Sequence, residues 1–238
     1  MELKIAHLYP ELLNLYGDKG NIVSLTKRAQ WRNIKVSVTE YTIKDEIDFN
    51  NTDILFIGGG SDKEQLVVSK QLSKVKIKVA DYVENNGVVV AICGGFQLMG
   101  KYYKIKNETV EGLGILDMYT EYSESRLTSD VIVETDFLDC PVVGFENHAG
   151  RTYINNHTPL GKVVYGSGNN ENDGVEGVIY KNLLGTYLHG PLLPKNPQLC
   201  DYIIKKALQN KYGDVELQDL DDSIEISANN YIVNRFRN

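Results

Sequence analysis

Strand-like and helix-like segments alternate through the first half of the chain, and this alternation constrains the fold more than any other feature. Short apolar or period-2 segments predict strands at 3–9, 35–42, 53–60 and 87–93. Helices are predicted at 21–33, where Asp18 or Asn21 could cap the start, and between about 62 and 86. Such βαβ units bring parallel strands into one sheet. The predicted fold class is α/β, with a mostly parallel sheet and helices on both faces.

The sequence changes in character after about residue 111. Short strand-like segments follow one another, separated by Gly, Asn and Asp, and we expect some to extend the sheet and others to form hairpins. Two helical stretches are predicted near 196–211 and 221–236. Because no repeat, low-complexity tract or linker interrupts the chain, residues 1–238 are predicted to form a single domain.

Composition excludes several function classes. The 238 residues carry a formal net charge of −7 without a basic stripe, which argues against nucleic-acid binding. No apolar run approaches the roughly 20 residues of a membrane span, and the start, "MELKIAHLYP", is not typical of a signal peptide. The three cysteines, Cys93, Cys140 and Cys200, form no C-x-x-C pair, so neither a disulfide framework nor a metal site is expected. A reducing cytoplasm is the simplest prediction.

The segment "AICGGFQLMG" (91–100) places Cys93 where a buried strand becomes a helix. A sharp turn there lifts a nucleophile out of the sheet, and Gly94 and Gly95 permit it. We expect the free helix amides to favour the thiolate and to hold an oxyanion, helped by "GGGSD" (58–62) at the neighbouring strand end. The local pattern alone fits a buried core cysteine equally well.

A cysteine nucleophile needs a base, and the chain has four histidines. His7 lies inside the first strand and His157 in a polar loop. His148, in "GFENHAGRT", and His189, in "GTYLHGP", both follow strand-like runs and could reach the edge where Cys93 lies. His189 has the more strand-like approach, although sequence spacing from Cys93 decides nothing.

Several motifs together resemble a known family. "AICGGFQLMG" resembles the nucleophile motif of class I, triad-type glutamine amidotransferases, and "GFENHAGRT" with "GTYLHGP" is similar to their cobyric-acid-synthase-like branch. "LYPELLNLYGDKGNI", "FIGGGSDKEQ" and "YLHGPLLPKNP" are most similar to the glutaminase subunits of the lipid II isoglutaminyl synthases of Gram-positive bacteria. The resemblance covers nearly the whole chain and implies a flavodoxin-like fold.

The resemblance also implies a reaction. Cys93 would attack the carboxamide of L-glutamine to form a γ-glutamyl thioester, and His189 would transfer the protons. The amides of Gly60 and Gly94 would form the oxyanion hole. No metal is implied.

The resemblance gives roles to further residues. Gln97 would help to hold the substrate and Arg126 would bind its α-carboxylate, although on their own a helix-surface glutamine and a solvated arginine are the simpler interpretations. Many family members carry His-Pro-Glu, whereas this chain has Gly190 and then proline after His189. The group orienting the imidazole would be a backbone carbonyl, an acid such as Glu146, or a group from a partner; His148 is a further supporting candidate.

The resemblance implies a partner subunit as well. An ATP-dependent, Mur-ligase-like (MurT-type) protein would form a heterodimer with this chain, using ATP and Mg²⁺ to activate the D-glutamate of lipid II, which ammonia then converts to D-isoglutamine. This chain lacks a G-x-x-x-x-G-K-[ST] loop and no cofactor of its own is expected. The alternatives are a glutaminase serving cobyrinic or cobyric acid amidation, a cysteine hydrolase of another substrate, or a non-catalytic scaffold.

Overall fold

The computed structural model describes residues 1–236. The helices are α1 (Lys19–Trp31), α2 (Asp62–Leu72), α3 (Lys76–Glu84), α4 (Gly94–Met99), α5 (Pro197–Tyr212) and α6 (Ser223–Phe236). The first six strands are β1 (Glu2–Leu8), β2 (Lys35–Tyr41), β3 (Ile54–Ile57), β4 (Val88–Ile92), β5 (Tyr102–Ile105) and β6 (Glu108–Glu111). The others are β7 (Tyr119–Glu134), β8 (Val142–Tyr153), β9 (Gly161–Tyr165), β10 (Val175–Glu176), β11 (Val178–Tyr180) and β12 (Leu183–Thr186).

The first sheet has the order β11-β12-β4-β3-β1-β2. Its strands are parallel except for β11, which pairs antiparallel with β12. Strands β3 and β4 are buried throughout, as their unbroken apolar runs require in a sheet covered on both faces. The α/β fold class and the mostly parallel core sheet are therefore confirmed, and the carboxyl ends of β3, β4 and β12 share one edge.

A second sheet holds most of the short strands after about residue 111, some of which we expected to extend the first sheet. It has the order β10-β9-β7-β5-β6, with β8 pairing β7 as a long antiparallel hairpin. Of the later strands within residues 1–236, only β11 and β12 return to the first sheet. The register of the hairpin shifts between Tyr122 and Leu127, opposite the segment that carries His148. Such irregularities re-aim side chains, and this one lies where the hairpin reaches the carboxyl edge of the first sheet.

The helix predicted between about 62 and 86 is two helices. Helix α2 ends at Leu72, a 3₁₀ turn follows at Ser73–Val75, and α3 begins at Lys76. The Ser73 hydroxyl donates to the Lys70 carbonyl, which offers the backbone an alternative to continuing the helix. The apolar stripe keeps its period across the break, which is why the pattern alone predicted one helix.

One hydrophobic core runs beneath both sheets, with residues from β1, β3, β4, β7, β8 and α5 in a single cluster. The two C-terminal helices occur where they were predicted. Helix α6 covers a small separate cluster of Ile132, Val143 and Val233. None of the helices described within residues 1–236 is both long and apolar enough to cross a membrane.

Candidate active site

Cys93 occupies the strained turn between β4 and α4. Its φ is 51° and its ψ is −105°, a conformation that costs a non-glycine residue free energy and is concentrated at functional sites. The Cys93 amide donates to the Thr186 carbonyl at the end of β12 (2.8 Å). A side chain at Gly95 would come within 2.7 Å of the Ile57 carbonyl oxygen, so the turn can pack against β3 only with glycine there.

The sulfur of Cys93 is protonated in this environment. Burial raises the pKa of the thiol to about 12, the charge of Asp18 raises it further, and the Gly94 N–H that donates to the sulfur offsets only part of this. The Gly94 amide does favour the thiolate, as expected for the start of α4, but burial outweighs its effect on the pKa. Attack by this sulfur therefore requires a base to remove its proton.

A cavity of about 220 Å³ opens onto the sulfur. Its wall contains five of the residues predicted from the sequence, namely Gly60, Cys93, Gln97, Arg126 and His148. They come from four separate parts of the chain: the loop after β3, the β4–α4 turn and the two strands of the β7–β8 hairpin. The structure thus brings these residues together, while their individual roles remain predictions.

His189 lies behind this wall and is fully buried. It follows β12, whose Thr186 pairs with Ile92, so His189 and Cys93 leave the same sheet edge on adjacent strands. The Tyr16 ring covers the imidazole, with centroids 3.9 Å apart. Neither ring nitrogen has a hydrogen-bond partner within residues 1–236. Burial, with lesser contributions from His148 and Arg126, lowers the pKa of His189 to about 4, so the ring is neutral at pH 7 and is a weaker base than free imidazole.

The imidazole ring of His148 lies against Gly150, Glu146 and Tyr187. Its Nδ1 lies 2.7 Å from the Gly150 carbonyl oxygen, to which it donates, and its Nε2 faces the Glu146 carboxylate at 3.6 Å. The ring also stacks on Tyr187 with centroids 3.6 Å apart. Nε2 has no hydrogen-bond partner among residues 1–236, so hydrogen bonding leaves His148 one free ring nitrogen and His189 two. The choice of His189 as the base stays the prediction that the family resemblance implies.

Glu146 does not orient His189. Its carboxylate accepts hydrogen bonds from the Ser129 hydroxyl and from the amides of Ser167 and Gly168, and it has no hydrogen bond to the His189 ring. Burial acts to raise the pKa of Glu146, but the neighbouring His148 and these donors outweigh it and lower the pKa. Of the predicted candidates, Glu146 therefore supports His148 instead.

Arg126 and Gln97 both line the cavity. Arg126 is exposed and is held by Asn147, with Nε donating to the side-chain oxygen and Nη2 to the carbonyl, both at 2.9 Å. Gln97 is buried and donates to the Tyr187 hydroxyl (3.0 Å). The guanidinium is thus positioned at the mouth of the cavity, where it could bind an anionic group.

Sequence reasoning missed a buried carboxyl group beneath the site. Glu176 accepts hydrogen bonds from the Thr186 hydroxyl and the Tyr187 amide, while its Oε2 has no partner among residues 1–236. Burial raises the pKa of Glu176 to about 7. A glutamate two residues before a strand gives no sequence signal of this contact. No group of three or more His, Cys, Asp or Glu side chains in the described part of the chain could hold a metal ion.

Comparison with known proteins identifies the family. Residues 4–197 match the CobB/CobQ-like glutamine amidotransferase domain. The chain belongs to this family. It is a glutamine amidotransferase. The turn at Cys93 lies in the segment 91–100, which resembles the nucleophile motif of this family.

Curated relatives cover nearly the whole chain. It is 48% identical over 235 residues to the lipid II isoglutaminyl synthase (glutamine-hydrolyzing) subunit GatD of Staphylococcus aureus, covering 98% of this chain and 96% of that protein. The subunit of the same name from Streptococcus pneumoniae is 44% identical over 225 residues, covering 93% and 86%. The cobyric acid synthase of Listeria innocua is 34% identical over 166 residues, which are 66% of this chain and 32% of that longer protein.

Solved structures support the fold. A glutamine amidotransferase from Thermotoga maritima aligns with a TM-score of 0.55 at 11% identity, covering 98% of this chain and 97% of that one. The glutaminase domain of the CTP synthase of Trypanosoma brucei, with bound acivicin, aligns with a TM-score of 0.53 at 12% identity, covering 91% and 96%. At such identities the likeness concerns the fold alone.

Proposed function

We propose that this chain hydrolyses L-glutamine to glutamate and ammonia and that the ammonia is passed to a ligase subunit. The observation that carries the proposal is the strained turn at Cys93, which lines a cavity of about 220 Å³ at the sheet edge where the adjacent strand β12 leads to His189. A strained turn is not needed to bury a thiol in the core. A nucleophile, by contrast, must face a space that can hold its substrate.

The first half-reaction forms the thioester. His189 takes the thiol proton as the sulfur attacks the glutamine Cδ, and the carbonyl oxygen becomes an oxyanion held by the amides of Gly60 and Gly94. The oxyanion then collapses, the C–N bond breaks, and the proton on His189 goes to the nitrogen, which leaves as ammonia. Arg126 binds the α-carboxylate during both steps, and Gln97 contacts the substrate from the cavity wall.

The second half-reaction regenerates the cysteine. His189 removes a proton from water as the water oxygen attacks the γ-glutamyl thioester. The tetrahedral intermediate collapses with cleavage of the C–S bond, and the proton returns to the sulfur. Glutamate leaves, and the free thiol is ready for another turnover.

The acceptor of the ammonia is proposed from the relatives, two of which are subunits of lipid II isoglutaminyl synthases. We infer that a Mur-ligase-like subunit, using ATP and Mg²⁺, activates the D-glutamate carboxylate of lipid II, and that the two proteins form a heterodimer on the cytoplasmic side of the membrane. Ammonia transfer between subunits requires that the mouth of the Cys93 cavity lie near their interface.

The test measures glutamine hydrolysis and lipid II amidation together. The purified chain is assayed alone and with the Mur-ligase-like subunit, ATP, Mg²⁺, lipid II and glutamine labelled with ¹⁵N in the carboxamide. We expect ¹⁵N in lipid II only when both proteins and ATP are present, and none with Cys93→Ala. Cys140→Ala is the matched control, because Cys140 lies outside the cavity and should leave the rate unchanged. Label transfer by Cys93→Ala, or by the chain alone, would contradict the proposal.

A further inference from the structure

The carboxylate of Asp18 holds the glycine loop that follows β3. Asp18 is only 1% exposed, and although it precedes α1, its side chain makes no capping hydrogen bond to that helix. Its Oδ2 instead accepts from the Gly59 amide, 41 residues further along the chain, at 2.8 Å. A buried carboxylate that leaves its own helix uncapped to bind a distant loop amide fixes the position of that loop.

Gln65 holds the same loop from the other side. It is 4% exposed, and its Nε2 donates to the Gly60 carbonyl at 3.1 Å. Its carboxamide also packs directly on the Cα of Gly94, at the start of α4. Gln65 therefore contacts both backbone segments that supply the predicted oxyanion hole.

These two contacts leave one donor free. The Gly59 amide is taken by Asp18 and the Gly60 carbonyl by Gln65, while the Gly60 amide has no partner among the residues described and Gly60 lines the cavity. The loop passes so close to the nucleophile that a side chain at Gly59 would lie 3.0 Å from the Cβ of Cys93. Small rotations of the loop peptides would therefore turn the free amide away from a bound carbonyl.

The charge of Asp18 does not assist the sulfur. It lies close enough to raise the pKa of Cys93, which disfavours the reactive thiolate. A contribution of Asp18 to the reaction must accordingly come from geometry and must outweigh this electrostatic cost.

We propose that Asp18 and Gln65 are positioning residues that clamp the Gly58–Gly60 loop so that the Gly60 amide meets the oxyanion of the tetrahedral intermediate. The inference rests on the proposed glutamine hydrolysis. Removing an oxyanion-hole donor from an enzyme costs about 10²–10³-fold in kcat. A variant in which the donor is displaced but still present should lose about 10–100-fold in kcat. Its KM should change little, because the lost interaction is made only in the transition state.

The first test separates kcat from KM. Asp18→Ala and Gln65→Met each remove one contact, and each should lower kcat by about 10–100-fold with KM within about threefold of wild type. Asp18→Asn keeps an oxygen for the Gly59 amide and should stay within about fivefold in kcat. Glu11→Ala, an exposed acid in the loop before Asp18, is the control and should match wild type.

The second test uses iodoacetamide, whose reaction with a thiolate forms no oxyanion. Asp18→Ala should be alkylated at Cys93 at least as fast as wild type at the same pH, because the neighbouring negative charge is gone. Alkylation that slows in parallel with kcat would show that the variant has disturbed the turn at Cys93 itself. That result would overturn the proposed positioning role of Asp18. So would a kcat equal to wild type in Asp18→Ala and Gln65→Met. A wild-type chain that does not hydrolyse glutamine would instead contradict the proposed function.

Discussion

The choice between His189 and His148 decides which side chain removes the proton from the Cys93 thiol. Because burial raises the pKa of the thiol to about 12, almost all of Cys93 is protonated at pH 7.5. A base must therefore take the proton during attack, and loss of such a base costs about 10²–10⁴-fold. His189→Ala should lower kcat/KM for glutamine by that factor, because His189 follows β12 at the sheet edge where the neighbouring strand ends at Cys93.

His148→Ala is the matched comparison. It removes the ring that stacks on Tyr187, which should destabilise the fold by about 0.5–1.5 kcal/mol. It should lower kcat/KM by less than about tenfold, since the family resemblance gives His148 only a supporting role and its Nδ1 is held by the Gly150 carbonyl. The assay is glutamate release coupled to glutamate dehydrogenase, with thermal unfolding of each variant measured alongside. An inactive, folded His148→Ala beside an active His189→Ala would reverse the assignment.

Three other predictions test separate parts of the site. Arg126→Ala should raise KM for glutamine by loss of a charge-assisted contact, about 1.5–3 kcal/mol in kcat/KM, and an unchanged kcat/KM would show that Arg126 is only solvated. Tyr16→Ala exposes His189 to water, so the pKa of His189 should rise from about 4 towards 6.5 and the acid limb of the kcat/KM–pH profile should move to higher pH. A limb at the wild-type pH would refute this. Glu176 keeps its proton longer in the folded state, because its pKa is raised from 4.5 to about 7. Folding stability of wild type relative to Glu176→Gln should therefore be highest below pH 4.5 and fall by about 2–3 kcal/mol as the pH rises to 7, as measured by urea unfolding; a constant difference would contradict it.

The elements of the first half could be predicted because their signals are local. The strands ending at Ile57 and Ile92 are unbroken apolar runs, with Gly58 directly after the first and Gly94 after Cys93 at the end of the second. The same local pattern placed Cys93 in a sharp turn. It could not reveal that the helix after Ser61 breaks near Ser73, because the apolar period continues across the break.

The contacts that decide the chemistry are long-range, and periodicity does not encode them. The Tyr16 ring covers His189 across 173 positions of sequence, and Asp18 reaches Gly59 across 41. The second sheet was not predicted for the same reason, because strand pairing is a long-range contact. The pairing of Leu127 with His148 also depends on a register shift in the hairpin that no local pattern signals. Asp18 was one of two candidates to cap α1, and only the structure shows that its carboxylate turns to the glycine loop instead.

Trapping the acyl intermediate with hydroxylamine tests the central claim most directly. If a γ-glutamyl thioester forms on Cys93, hydroxylamine will compete with water for it, and γ-glutamyl hydroxamate will appear at the expense of glutamate while ammonia release continues. The account predicts that hydroxamate rises with hydroxylamine concentration in wild type and Cys140→Ala and is absent in folded Cys93→Ala. Ammonia release without hydroxamate at saturating hydroxylamine, or hydroxamate formed by Cys93→Ala, would contradict it.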